Sequence, residues 1–218
     1  MTKQKVTKIL KILDELYPFD STCFLDYQKP WQLLMATILS AQCTDARVNL
    51  VTADLFPKYP TLQDLANANY YELCEDIRST GFFRTKAQHL IQSAELLLSN
   101  HNGELPSDIE ALTILPGVGR KTANVVRGHI FGIPSITVDT HVKRISFKLG
   151  LTKHTDPEKI EFELMEVLPK PHWIAYNQQI ITHGRQICTA RSPKCGECPL
   201  ASLCLEFKKS STGLNKAT

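Results

Sequence analysis

No apolar run in the 218 residues approaches the ~18 that a helix needs to cross a bilayer, which excludes a membrane-spanning helix. The first residues also lack a continuous apolar segment. Lys3, Lys5, Lys8 and Lys11 interrupt it, so no signal peptide is read there and an intracellular protein is expected. Strand signals are missing apart from Ser135-Ile136-Thr137-Val138; apolar residues recur instead at three- and four-residue spacing, and the expected fold class is all-α. No internal repeat and no low-complexity tract occurs. A net charge of +3 is small, but acid is scarce where it matters. Between Arg120 and Lys153 there are seven basic residues (Arg120, Lys121, Arg127, Lys143, Arg144, Lys148, Lys153) against the single acid Asp139. Of 25 basic and 22 acidic residues, 18 and 21 remain elsewhere, so the rest of the chain is net −3 and the positive charge is concentrated.

That basic stretch begins at Leu115-Pro116-Gly117-Val118-Gly119-Arg120-Lys121-Thr122-Ala123-Asn124-Val125-Val126. Upstream, Ser107 and Glu110 have the spacing of a capping box, and Ile109, Leu112 and Leu115 recur as a short helix that must stop at Pro116. Gly117 and Gly119 bracket one apolar residue, which suits left-handed dihedrals in a tight turn. A second helix then runs from Arg120 with Val125, Val126 and Ile130 on its apolar face. The product is a helix–hairpin–helix. Its turn aims backbone N–H groups and the positive end of a helix at one point, an arrangement suited to a phosphate. A cation in that first turn opposes the dipole of its own helix, at a cost of a few tenths of a kcal/mol. Lys121 is therefore either one more phosphate contact or a nucleophile.

Asp139 supplies the second half of the pattern. It ends the extended run and precedes a helical pattern through Val142, Ile145, Phe147 and Leu149, so it reads as an N-cap. A capping carboxylate can also activate a nucleophile or steady a cationic transition state. The helix from Arg120 to Phe131 rises roughly 17 Å and the eight residues from Gly132 to Asp139 can stretch to about 26 Å, so the return from Lys121 is long enough.

Elsewhere the pattern is helical throughout. Lys3 to Tyr17 is amphipathic, with Val6, Ile9, Leu10, Leu13 and Leu16 on one face, and Pro18 closes it. Pro30 opens an apolar helix to about Gln42 that is expected to be buried on most sides. Its end reads Leu39-Ser40-Ala41-Gln42-Cys43-Thr44-Asp45, in which Gln42 by itself is an ordinary surface residue and Thr44 or Asp45 an N-cap. Asn69 with Glu72 opens a helix that ends at Gly81. Gly81-Phe82-Phe83-Arg84-Thr85-Lys86 follows as a loop, with one phenylalanine ring expected in the core and Arg84 and Lys86 able to reach phosphates. Asp156-Pro157 and Pro171 open the last two helices, and 207–218 is expected to be a disordered tail.

Four of the seven cysteines fall at Cys188, Cys195, Cys198 and Cys204. Disulfides are disfavoured in an intracellular chain, and structural zinc sites commonly pair two Cys-x2-Cys knuckles, whereas here there is one. The spacing also differs from the ferredoxin run. Arg191 and Lys194 lie between the cysteines and offer cations to phosphates. Cys23, Cys43 and Cys74 read as small core residues.

LPGVGRKTANVV followed by VDTHVKR, with LSAQCTD upstream and the four-cysteine loop downstream, resembles the endonuclease III family of DNA glycosylases with an apurinic/apyrimidinic lyase activity. The resemblance runs from LSAQCTD to Cys204. It implies two helical domains with a DNA-binding cleft between them: 22–134 containing the helix–hairpin–helix, and 1–21 plus 135–206 holding a 4Fe-4S cluster on Cys188, Cys195, Cys198 and Cys204. Lys121 and Asp139 become the catalytic pair. Gln42 becomes the residue that fills the space of the extruded base, and Phe82 the wedge beside it. Arg84, Lys86, Gly117, Gly119, Arg120, His141, Arg144, Arg191 and Lys194 become DNA contacts. The implied partner is double-stranded DNA carrying damaged pyrimidines or abasic sites, met by a monomer in a bacterial-type cytoplasm at the nucleoid. The adenine glycosylase branch shares the hairpin but needs a carboxylic acid in the apolar helix, and Leu33 to Gln42 has none. A non-catalytic DNA-binding module leaves Lys121 with Asp139 unexplained, and an electron carrier leaves the hairpin unexplained.

Overall fold

The computed structural model describes residues 2–20 and 22–208, and among these no strand occurs. Helices follow one another along the described residues: α1 Lys3–Leu16, α2 Pro30–Leu39, α3 Asp45–Lys58, α4 Leu62–Ala66, α5 Tyr70–Asp76, α6 Phe83–His101, α7 Ile109–Ile114, α8 Arg120–Phe131, α9 Thr140–Leu149, α10 Pro157–Val167 and α11 Trp173–Gln186. They divide into two compact units, Cys23–Ile133, and Met1–Thr22 with Pro134–Thr218.

The unit Cys23–Ile133 is built on α2, buried from Trp31 to Leu39. A helix apolar all round must be surrounded, and α3, α6 and α8 pack against it. Its start is fixed by Pro30 and by the buried Gln32, whose Oε1 accepts from the backbone N–H groups of Gln28 and Lys29. It stops at Leu39, short of Gln42, and Gln42 stands exposed in the turn that follows. α6 starts earlier than the sequence suggests, at Phe83 rather than after Lys86. Further on, the cap of α7 is Asp108, whose carboxylate accepts from Ala111 N–H at 2.9 Å; Ser107 lies one residue too early to act as the cap. Asn69 caps α5 by accepting from Tyr71 and Glu72 N–H.

In the other unit, α1 buries Val6, Ile9, Leu10 and Leu13, while Leu16 drifts off the stripe to the surface. α11 packs against both α1 and α9. Gln179 on α11 donates to the Asp14 carboxylate and the Tyr17 carbonyl, and the fully buried Tyr176 hydroxyl lies 2.7 Å from that of Ser146 on α9. Lys5 closes the C-terminus of α9 by donating to the Leu149 carbonyl at 2.7 Å, a cation on the negative end of a helix. The expected disordered tail is corrected at its start, since residues 205–208 are helical. Its remainder, 209–218, lies outside the described residues.

Candidate nucleic-acid interface and cluster loop

The hairpin is held by its two apolar residues. Leu115 and Val118 are buried in the core of Cys23–Ile133, and Val118 N–H closes the turn on the Leu115 carbonyl at 3.0 Å. Of the two glycines only Gly117 is left-handed (φ = 77°). A Cβ there would lie 2.6 Å from His89 Nδ1, so α6 packs directly beneath the turn, and Ser93 on the same helix donates to the Pro116 carbonyl. Gly119 is extended and caps α8, with nothing within 4 Å of a Cβ built on it. Its freedom is thus not a matter of backbone strain, contrary to the sequence expectation. Gly119 leaves the approach to the α8 amides clear, and it offers no side-chain cap to compete with an anion. On α8, Lys121 is exposed and its ammonium makes no ion pair among the described residues. Arg127 on the same helix donates to the Ser107 carbonyl, joining the two arms of the motif.

The two glycines separate stability from binding. Gly117→Ala is expected to lower stability by about 1–3 kcal/mol through strain and the His89 contact. Gly119→Ala is expected to leave the melting temperature within about 2 °C while weakening duplex binding several-fold. Thermal melts beside fluorescence anisotropy check both.

Asp139 caps α9. Its Oδ1 accepts from Val142 N–H at 2.7 Å, which leaves Oδ2 for chemistry. The run before it, Ser135 to Thr137, is buried, and Asn177 on α11 donates to the Ser135 carbonyl, so the carboxylate is carried by a fixed segment. His141 and Arg144, one turn further along, are placed differently from the expectation of DNA contacts. The His141 ring packs over Gly184, where a Cβ would strike it, and Arg144 Nη2 donates to the Cys188 carbonyl at 2.7 Å and lies 3.3 Å from His141 Nδ1. Arg144, half-buried, thereby ties α9 to the cysteine loop.

Gln42 and Phe82 share a signature that sequence patterning does not show. Both are left-handed non-glycine residues (φ = 55° and 49°) and both are exposed, Phe82 at 67%. Large side chains held in that region of dihedral space mark segments fixed by their surroundings. Phe83, by contrast, packs against the core, with the guanidinium groups of Arg78 and Arg84 over its ring. Arg84 is exposed, as expected of a phosphate contact. Lys86 is not. It is 4% exposed, and its ammonium donates to the carbonyls of Leu39 and Thr80, each at 2.8 Å. The sequence placed it in a loop; starting α6 at Phe83 turns it inward instead.

The cysteine loop is built from short turns. Two 3-10 turns, Cys195–Glu197 and Ala201–Leu203, are closed by Cys198 N–H on the Cys195 carbonyl and Cys204 N–H on that of Ala201. Leu200 is buried between them and anchors the loop in the core of its unit. Cys188 and Cys198 each lie within electrostatic reach of Cys195 and Cys204. Burial pushes the Cys188 and Cys198 thiols up, with Cys195 and Cys204 as further raising charges on both, while Lys148 and Arg144 act on Cys188 in the opposite sense. Cys198 Sγ lies 3.6 Å from Nε2 of the buried His183, whose imidazole burial holds below its ordinary value and whose Nδ1 meets the Tyr17 hydroxyl. Among the described residues no three His, Cys, Asp or Glu converge on a single metal ion. Four cysteines on one short loop with a single Cys-x2-Cys knuckle suit the thiolate ligation of an iron–sulfur cluster. His183, Tyr17 and the Lys148 carbonyl that accepts from Cys204 support this loop, yet none carries a sequence signal that marks it.

Comparison with known proteins agrees with this geometry. The HhH-GPD superfamily of base excision DNA repair proteins matches residues 35–170, and the iron–sulfur binding domain of endonuclease III matches 188–204. Endonuclease III of Synechocystis sp. is 56% identical over 203 residues, covering 93% of this chain and 92% of the relative. Endonuclease III of Bacillus subtilis is 43% identical over 198 residues, covering 90% of each. A solved structure described as a trapped endonuclease III–DNA covalent intermediate, an estranged-adenine complex, superposes with a TM-score of 0.91 at 45% identity over 97% of this chain and 99% of that one. With a hairpin, a helix-capping aspartate and a four-cysteine loop on a chain matched along nearly its whole length, the chain belongs to the endonuclease III family, the helix–hairpin–helix DNA glycosylases with apurinic/apyrimidinic lyase activity and a 4Fe-4S cluster.

Proposed function

We propose that this protein is a bifunctional base excision repair enzyme that removes oxidised pyrimidines from duplex DNA and cleaves the strand at the resulting abasic site. The observation that carries the reading is Lys121: an exposed amine, unpaired among the described residues, in the first turn of α8, where the helix and the glycine turn otherwise favour an anion. Phosphates bound at the hairpin hold the backbone beside it, with Gly117, Gly119 and Arg120 in contact. The damaged base leaves the stack, at a cost that the lesion itself lowers. Phe82 enters as a wedge, and Gln42 takes the vacated space. Arg84, Arg191 and Lys194 add phosphate contacts.

The deprotonated Lys121 amine attacks C1′, and the glycosidic C1′–N bond breaks with its electron pair leaving on the base. Asp139 assists by taking a proton from the amine or by stabilising the positive charge that grows on the sugar. The attached nitrogen gives up a proton, the C1′–O4′ bond of the sugar ring breaks with O4′ taking up a proton, and a protonated imine forms at C1′; a C2′ proton is then removed and the C3′–O bond breaks, its electron pair leaving on the 3′ phosphate. Water hydrolyses the imine and frees the lysine. Cys188, Cys195, Cys198 and Cys204 hold the 4Fe-4S cluster, which completes the interior of a loop too short to have a core of its own. Such a substrate places the enzyme at the nucleoid in the cytoplasm.

Borohydride trapping tests the mechanism. The cluster-loaded protein on a duplex with one thymine glycol should give a covalent protein–DNA adduct. No adduct on that duplex, nor on one with an abasic site, would exclude the lysine mechanism.

A further inference from the structure

Lys86 is a charged side chain buried in an apolar setting, and among the described residues no carboxylate faces it; the titratable group acting on it is the Cys43 thiol. A buried ammonium is costly unless its hydrogen bonds do something that a methionine of similar volume could not. Its two acceptors are the place to look. Leu39 is the last residue of α2, three residues before Gln42, and Thr80 ends the 3-10 turn Arg78–Thr80, two residues before Phe82. Both carbonyls are helix termini carrying partial negative charge. Both lead directly into a left-handed, exposed residue.

One ammonium therefore spans the roots of both loops. Further along α6, at the three- and four-residue steps of one helix face, His89 packs under Gly117 and Ser93 holds the Pro116 carbonyl. The same helix face that sets the wedge loops also supports the hairpin.

We propose that Lys86 is a positioning residue for base extrusion, a buried strut that fixes the Gln42 and Phe82 loops at one separation so that both enter the duplex together. The inference rests on the proposed roles of Gln42 and Phe82, and its test separates the two. Single-turnover base release is measured for the cluster-loaded protein with thymine glycol in a fully paired duplex and, separately, in a bulge where unstacking is already done. Lys86→Met should lose about 10- to 100-fold on the paired duplex and less than about threefold in the bulge. Gln42→Ala and Phe82→Ala should show the same selectivity, and Lys86→Met combined with Phe82→Ala should be far less than multiplicative. Leu90→Ala, a buried change on the same helix, should affect both substrates equally at a comparable loss of melting temperature. Should Lys86→Met not fold, Lys86→Gln keeps a donor too short to bridge both carbonyls and gives the same reading.

Equal losses on the two substrates for Lys86→Met, while Gln42→Ala and Phe82→Ala remain selective, would overturn the strut and leave the loop roles standing. If Gln42→Ala and Phe82→Ala are themselves unselective, the loop roles fall and the strut falls with them.

Discussion

Lys121→Gln is expected to abolish the borohydride-trapped adduct and strand cleavage, and to lower base release by about 10⁴-fold, equivalent to roughly 5 kcal/mol of transition-state stabilisation. The same change should leave stability unaltered or raise it by a few tenths of a kcal/mol, because it removes a positive charge from the positive end of α8. That opposition of sign is diagnostic: a residue kept for the fold would lose stability, and this one should not. If Lys121 were only a phosphate contact, the result would differ in kind. Strand cleavage would persist, binding would weaken modestly for all sequences alike, and the salt dependence of log Kobs would fall by about one unit of slope. Gel analysis of trapped and cleaved products, with anisotropy at several salt concentrations, distinguishes the two.

The catalytic candidates were legible in the sequence because the constraints on them are local. A proline and two glycines around one valine can close only a tight turn, and Asp139 before an apolar-periodic run can hardly avoid capping it; the structure finds both. The cysteine spacing is local in the same sense. What the sequence misplaced depends on contacts between distant segments. Lys86 in a polar-looking tract reads as a surface cation, and only the start of α6 at Phe83 and the carbonyls of Leu39 and Thr80, 47 and 6 residues away, make it an interior group. Arg144 reads as a phosphate ligand in a basic stretch until the carbonyl of Cys188, 44 residues on, is seen to take it. Ser107 and Asp108 are both competent caps, and a shift of one residue in where α7 begins decides between them. The left-handed conformations of Gln42 and Phe82 carry no local signal at all, since neither is the glycine or asparagine usual for that region.

Asp139 carries two roles, and two substitutions should pull them apart. Asparagine caps a helix about as well as aspartate, so Asp139→Asn is expected to keep the bond from Val142 N–H and to change stability by less than about 0.5 kcal/mol. Asp139→Ala removes the cap and should cost about 1 kcal/mol. Both delete the carboxylate. Base release from a thymine glycol duplex should therefore fall by about 10²- to 10³-fold in each, the size expected for loss of a positioned base or an electrostatic stabiliser. Stability would then follow the cap while rate follows the charge, and the two orders of ranking would disagree. Imine formation at a preformed abasic site asks less of Asp139, because no base has to leave and no sugar cation develops, so trapping there should survive in both variants better than base release does. An Asp139→Asn variant with near-normal base release beside an impaired Asp139→Ala would reduce Asp139 to a cap and leave Lys121 to find its activation elsewhere.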